Sequence, residues 1–207
     1  MMGEHEADYG FLEVWVDYIE DLDNAFVREL AARWGERLVV VFRRQKLEPM
    51  RLAPQRRLEL LILLDGTPVL VDFDVNMQAE ELAALSDRDL KLQVVASYHN
   101  YQTTPGDQEL RKIVTGMDRW TPAIYKLSTM CGSEADAVRL LSLLLELRQA
   151  GKRYIVLGMG KAGTVTRIFG TLWGNELVFA PEKLAEQSAP GQLTRAQMDK
   201  IMTVLKG

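Results

Sequence analysis

The sequence predicts an α/β fold in which a parallel sheet is covered by helices. Three features of the 207 residues carry that reading. Short apolar runs rich in β-branched residues recur along the chain, and segments with helical spacing separate them. The runs are also almost continuously apolar, as strands buried on both faces must be, rather than alternating. Two closures satisfy the pattern, an open doubly wound sheet or a (β/α)8 barrel. The seven strand-like segments fall one short of a complete barrel, whose usual length is ~250 residues.

The strand-like segments are Phe11–Val16, Leu38–Phe42, Pro68–Phe73, Leu92–Tyr98, Ala123–Leu127, Tyr154–Leu157 and Leu177–Phe179. Ile19, Leu22, Phe26, Leu30 and Trp34 repeat at three-to-four spacing and stop at Gly35, which predicts a helix over that stretch. Thr104-Pro105 reads as a cap with proline in the first turn, opening a helix that carries Leu110, Ile113, Val114 and Met117. Ser133 opens a long apolar helix ending near Gly151, and Thr194 opens a last one carrying Met198, Ile201, Met202 and Leu205. No Pro/Gly/Ser-rich linker divides the chain. The expected organisation is a polar tail over residues 1–10 and a single domain over 11–207.

Composition narrows the function classes. Apolar residues make up 47% and charged residues 26%, as in an ordinary globular protein. No apolar run approaches the ~18 residues of a membrane span, and the first ten residues are too polar for a signal peptide. A net charge of −4 without a basic block argues against a nucleic-acid partner. One cysteine, Cys131, and two histidines, His5 and His99, leave no basis for a disulfide framework or a multi-histidine metal site. The expectation is a soluble cytoplasmic protein, without metal or membrane, whose partner is a small molecule.

A charge inside a strand buried on both faces is costly to desolvate, so where one occurs it lines a site. Glu13 and Asp17 sit in and after the first strand, Arg43 and Arg44 end the second, and Asp72 and Asp74 punctuate the third. His99 directly follows VVASY, and Lys126 lies inside AIYKLSTM. In a parallel α/β fold the C-terminal strand ends open onto one face, where ligands bind. A lysine flanked by Ile124, Tyr125 and Leu127 is short of water, which favours the neutral, nucleophilic amine and points to Schiff-base chemistry with a carbonyl. An ordinary buried ion pair with Asp72 or Asp74 is the alternative. His99 is the one side chain of the folded part suited to proton transfer near neutrality; otherwise it is a strand-end histidine bonded to a loop.

Gly158-Met-Gly160-Lys-Ala-Gly163 fits the dinucleotide fingerprint, with Glu182 at about the ribose-binding distance. It comes too late in the chain for the βαβ units such a domain needs, and a tight strand-to-helix turn explains the glycines. Arg167, in the following helix, suits a carboxylate or phosphate. Cys131 and the methionines read as core.

Taken together these residues resemble the type I 3-dehydroquinate dehydratases. MGKAGTVTRIFGTLWGNELVFA is similar to the family's MG-x-x-G-x-x-SR run, and SAPGQ stands intact at 188–192. SYHNYQTTP resembles the family's SYHDF-x-x-TP, and YKLSTM the strand bearing its imine lysine. The resemblance implies a TIM-type (β/α)8 barrel that lacks or abbreviates its first βα unit. It implies dehydration of 3-dehydroquinate with Lys126 as the imine former and His99 as acid and base, with no cofactor and as a homodimer. Glu48 would orient the histidine. Glu13, Arg44, Arg167, Ser188 and Gln192 would bind substrate, with Arg43 as the alternative to Arg44. Trp15 stands where the family carries an arginine in E-x-R-x-D, and Pro49-Met50 replace its glycine pair. A different carbonyl substrate, or a non-catalytic binding protein, are the competing readings.

Overall fold

The computed structural model describes residues 10–207, so His5 and nearly all of the expected tail lie outside the described residues. The chain divides into two compact units, the first ending at Val95 and the second covering Ala96–Gly207.

In the first unit, β1 (Leu12–Trp15), β2 (Leu38–Val41) and β3 (Leu70–Asp74) are parallel neighbours in chain order. Every residue of β2 and β3 is buried; β2 is accordingly apolar on both faces, whereas β3 carries the buried Asp72 and Asp74. Helix α1 (Asn24–Trp34) begins later than the apolar spacing predicts. Asp23 accepts the amide of Phe26 as its cap, and Asp21 has a positive φ of 52°, which keeps Ile19 and Leu22 out of the helix. Val27, Leu30 and Trp34 form its buried face. Helices α2 (Pro54–Leu63) and α3 (Ala79–Asp87) complete the unit and are joined by the buried Arg57–Glu81 ion pair.

β4 (Gln93–Asn100) crosses the boundary between the units. In the second unit β4, β5 (Ile124–Met130) and β6 (Tyr154–Met159) are neighbours in that order, and β5 and β6 are parallel. Helix α4 (Asp107–Met117) is capped at Gly106 rather than at Thr104, whose hydroxyl is engaged elsewhere. Helix α5 (Glu134–Gln149) opens on Ser133 with a full capping box, as its sequence predicts, and buries Leu140, Leu143, Leu144 and Leu147. Helix α6 is Gly160–Trp173, and α7 (Arg195–Lys206) starts on the Thr194 capping box. The expected strand at Leu177–Phe179 is not formed; this segment has no regular structure. Among the described residues no helix is long and apolar enough to cross a membrane.

Candidate active site

Lys126 is the third residue of β5 and is only 4% exposed. Alternation puts Lys126, Ser128 and Met130 on one face, level with Ile155, Leu157 and Met159 of β6. The opposite face is tied to the connecting segments, since Tyr125 donates its hydroxyl to Asp118 (2.6 Å) and accepts from Lys152 (2.8 Å). The Lys126 ammonium nitrogen lies 4.6 Å from the centroid of the Phe179 ring. Burial desolvates the amine, the condition that nucleophilic lysine chemistry needs.

His99 is the penultimate residue of β4, 6% exposed, on the same face as the fully buried Ser97. Its ring runs nearly parallel to that of Tyr101, with centroids 6.4 Å apart. The loop leaving β4 is fastened to the end of β5 by Thr104. Its hydroxyl pairs with that of Thr129 at 2.8 Å and donates to the Met130 carbonyl at 2.9 Å. This clasp fixes the strand end bearing His99 against the strand bearing Lys126. It also explains why Thr104 is not a helix cap.

Arg167 sits on α6, which is locked onto β6 at a glycine crossing. A Cβ on Gly163 would lie 2.4 Å from the Gly158 carbonyl carbon, so no larger residue fits. The Thr166 hydroxyl accepts the Gly158 amide and donates to the Gly163 carbonyl, both at 2.7 Å. The glycines of the apparent dinucleotide fingerprint therefore serve packing. At the start of α6 the Gly160 amide donates to Pro190 O (3.0 Å), and Gly191, at φ +80°, fits against Gly160. Held on this crossing, Arg167 is 3% exposed, and its Nε and Nη2 are buried without a hydrogen-bond partner among the described residues. Burial pushes the guanidinium down to about 10. Cys131 is close enough to act on it electrostatically, and burial raises the pKa of the Cys131 thiol.

Ser188 and Gln192 are bonded to each other. Gln192 Oε1 accepts the Ser188 amide (2.8 Å), and its Nε2 donates to the Ser188 hydroxyl (3.0 Å). Thr164 donates to the Gly191 carbonyl and ties this loop to α6.

In the first unit, strand register puts Glu13, Trp15, Arg43 and Asp72 on one face. The Trp15 indole donates to Glu13 Oε1 (2.6 Å), the Arg43 guanidinium stacks 4.8 Å over the Trp15 ring, and Arg43 Nη2 lies 3.7 Å from Asp72 Oδ2. Arg44, expected among the substrate-binding residues, turns to the other side, because consecutive residues leaving a strand point oppositely. It pairs with the buried Asp17 at 2.9 Å and covers the Tyr18 ring at 3.9 Å. That hydrogen bond to Asp17 raises its pKa. Asp17 also accepts the amides of Arg51 and Leu52, so the pair pins the loop after β2. Glu48 accompanies Arg44 at 3.7 Å, with its side chain 57% exposed. Arg43 is thus the arginine on the face of Glu13 and Asp72. Of the third strand's acids, Asp72 joins that group, while Asp74 Oδ1 accepts the amides of Asn76 and Met77 and holds the turn. No local pattern marks Phe179 or Thr104 as neighbours of these groups. The signal for Phe179 is its place at the end of the run read as a strand, within the stretch similar to the family's MG-x-x-G-x-x-SR run.

A family model described as type I 3-dehydroquinase matches residues 2–207. A 3-dehydroquinate dehydratase of Methanosarcina acetivorans is 34% identical over 155 residues, covering 71% of this chain and 61% of the relative. The chain thus spans about three-fifths of that relative's length. A Methanopyrus kandleri enzyme of the same name is 31% identical over 201 residues, covering 94% of this chain and 86% of the relative. The crystal structure of a Geobacillus kaustophilus 3-dehydroquinate dehydratase superposes with a TM-score of 0.81 at 23% identity, covering 97% of this chain and 82% of that one. The fold is that of these proteins, a TIM-type barrel in abbreviated form.

Proposed function

The chain belongs to the type I 3-dehydroquinase family, and on that premise we propose that it dehydrates 3-dehydroquinate to 3-dehydroshikimate, a step of the shikimate pathway, through an imine on Lys126. The observation that carries the proposal is the buried Arg167, with two nitrogens unpartnered among the described residues, in the same unit as the buried Lys126. An unmatched guanidinium in such a place is costly, and a ligand carboxylate removes the cost with two charge-assisted hydrogen bonds.

In this reading the neutral Lys126 amine adds to the C3 ketone, and the ketone oxygen leaves as water. The iminium draws electrons from the adjacent carbon and acidifies the C2–H bond. His99 takes that proton, and the electron pair moves into the enamine. The enamine then expels the C1 hydroxyl, to which His99 returns a proton so that it departs as water. Hydrolysis of the imine frees the product and restores the amine. The chemistry calls on no metal or organic cofactor, because the iminium is the electron sink. Arg167 holds the substrate carboxylate, with Ser188 and Gln192 shaping the loop beside it. Arg44 and Glu48 keep the loop after β2 in place. The same reading makes the enzyme a cytoplasmic homodimer, which sedimentation in the analytical ultracentrifuge and fractionation of cells would test.

The decisive experiment is borohydride reduction in the presence of 3-dehydroquinate. The expected result is a mass increase on the peptide containing Lys126, together with an ultraviolet absorbance rise from the conjugated product. Turnover without any adduct would overturn the imine mechanism.

A further inference from the structure

We propose that Phe179 is an electrostatic partner of the reacting nitrogen: its ring face stabilises the positive charge that develops on Lys126 Nζ as the imine forms. The inference rests on Lys126 being the imine-forming amine. Nζ lies 4.6 Å from the Phe179 ring centroid, on a side chain that is 4% exposed. At that separation the negative face of an aromatic ring attracts a cation, and more strongly where water is excluded.

Phe179 belongs to no helix or strand, yet its position is held. The Asn175 side chain acts as a strand would against β6, accepting the Val156 amide at 2.9 Å and donating to the Val156 carbonyl at 3.0 Å. The Asn175 and Glu176 amides donate to Gly170 O (2.8 Å) and Tyr154 O (2.9 Å). A Cβ at position 170 would lie 2.4 Å from Asn175 Nδ2, so Gly170 makes this seat possible. Leu177 is buried behind it. The segment is thereby stapled to the strand that pairs with β5, where Lys126 is level with Ile155.

The chemistry gives this contact a task. The amine lone pair forms the bond to the ketone carbon, and a proton passes from nitrogen to the former carbonyl oxygen, giving a neutral carbinolamine. When the C–O bond breaks with protonation of the hydroxyl, water leaves and the positive charge settles on Nζ. The ring has little to attract in the carbinolamine and a full cation in the iminium. It therefore favours the transition state of water loss and the iminium itself. A leucine of similar bulk excludes water equally but offers no negative face.

The test uses the full chain with 3-dehydroquinate and borohydride, comparing Phe179→Leu and Phe179→Tyr with the unsubstituted protein. Adduct at Lys126, kcat and KM are measured. Phe179→Leu is expected to lower kcat and the trapped fraction about tenfold, with KM within about twofold, while Phe179→Tyr stays within about twofold in all three. A second series places singly, doubly and triply fluorinated phenylalanine at 179, which keeps the shape while draining the ring face. Trapping should fall stepwise. A flat fluorine series, or Phe179→Tyr falling as far as Phe179→Leu, overturns the inference alone. Absence of adduct in the unsubstituted, active protein removes Lys126 from the reaction, and this inference with it.

Discussion

Replacing Arg167 with methionine should make the ligand-free protein more stable and far less active. The guanidinium is 3% exposed, with Nε and Nη2 unpartnered among the described residues, and burial pushes it down to about 10. Set against the higher pKa of an ordinary arginine, at about 1.4 kcal/mol per pKa unit, the charge costs the folded state about 3 kcal/mol. Below pH 10 the group is charged both folded and unfolded, so at neutral pH that cost is present in full. As pH rises through 10 the folded protein releases its proton first and the cost fades. Methionine keeps an apolar stem in the same space and carries no charge. The variant should gain up to about 3 kcal/mol at pH 7, on the order of 6–12 °C in melting temperature for a chain of this size. The difference should shrink above pH 10. The two charge-assisted hydrogen bonds lost to the substrate carboxylate should lower kcat/KM about a hundredfold or more. Added product should raise the melting temperature of the unsubstituted protein and leave that of Arg167→Met unchanged. A folded Arg167→Met protein that melts below the parent, or one that keeps kcat/KM within tenfold, would refute the reasoning.

Lys126→Ala should abolish both turnover and the borohydride adduct while leaving the circular dichroism spectrum unchanged; residual turnover would be read in the ultraviolet assay. Thr166→Val strips the Gly158 amide of its acceptor inside the β6–α6 crossing and should cost about 1–3 kcal/mol in urea unfolding. Gly163→Ala drives a methyl into the Gly158 backbone and should cost more than Thr166→Val by the same measurement. Asp118 is held below the usual carboxylate range chiefly by the Lys152 hydrogen bond, so its contribution is present near neutrality and lost as pH falls through the carboxylate range. Both groups are partly exposed, which limits the effect to less than about 1 kcal/mol. Asp118→Asn should accordingly flatten the acid limb of a stability–pH curve slightly.

Much of this protein is legible in its residues because the information is local. Buried strands declare themselves as apolar β-branched runs, and Ser133 and Thr194 open their helices since a cap is a contact between residues three apart. Lys126 and His99 stand out as charge and polarity at positions where a buried strand tolerates neither without a purpose. What the tertiary structure alone decided depends on groups distant in sequence. Thr104 looks like a cap until Thr129 and Met130 claim its hydroxyl. Leu177–Phe179 looks like a strand, but Asn175 takes the backbone positions on β6 that a strand there would use. Arg43 and Arg44 are equivalent to the eye, and only strand register, with Asp17 waiting on one side and Asp72 on the other, separates them. Nor does any sequence pattern reveal that Arg167 Nε and Nη2 lack a hydrogen-bond partner among the described residues: that is a property of the packed surroundings, set by which side chains burial brings near and which it keeps away.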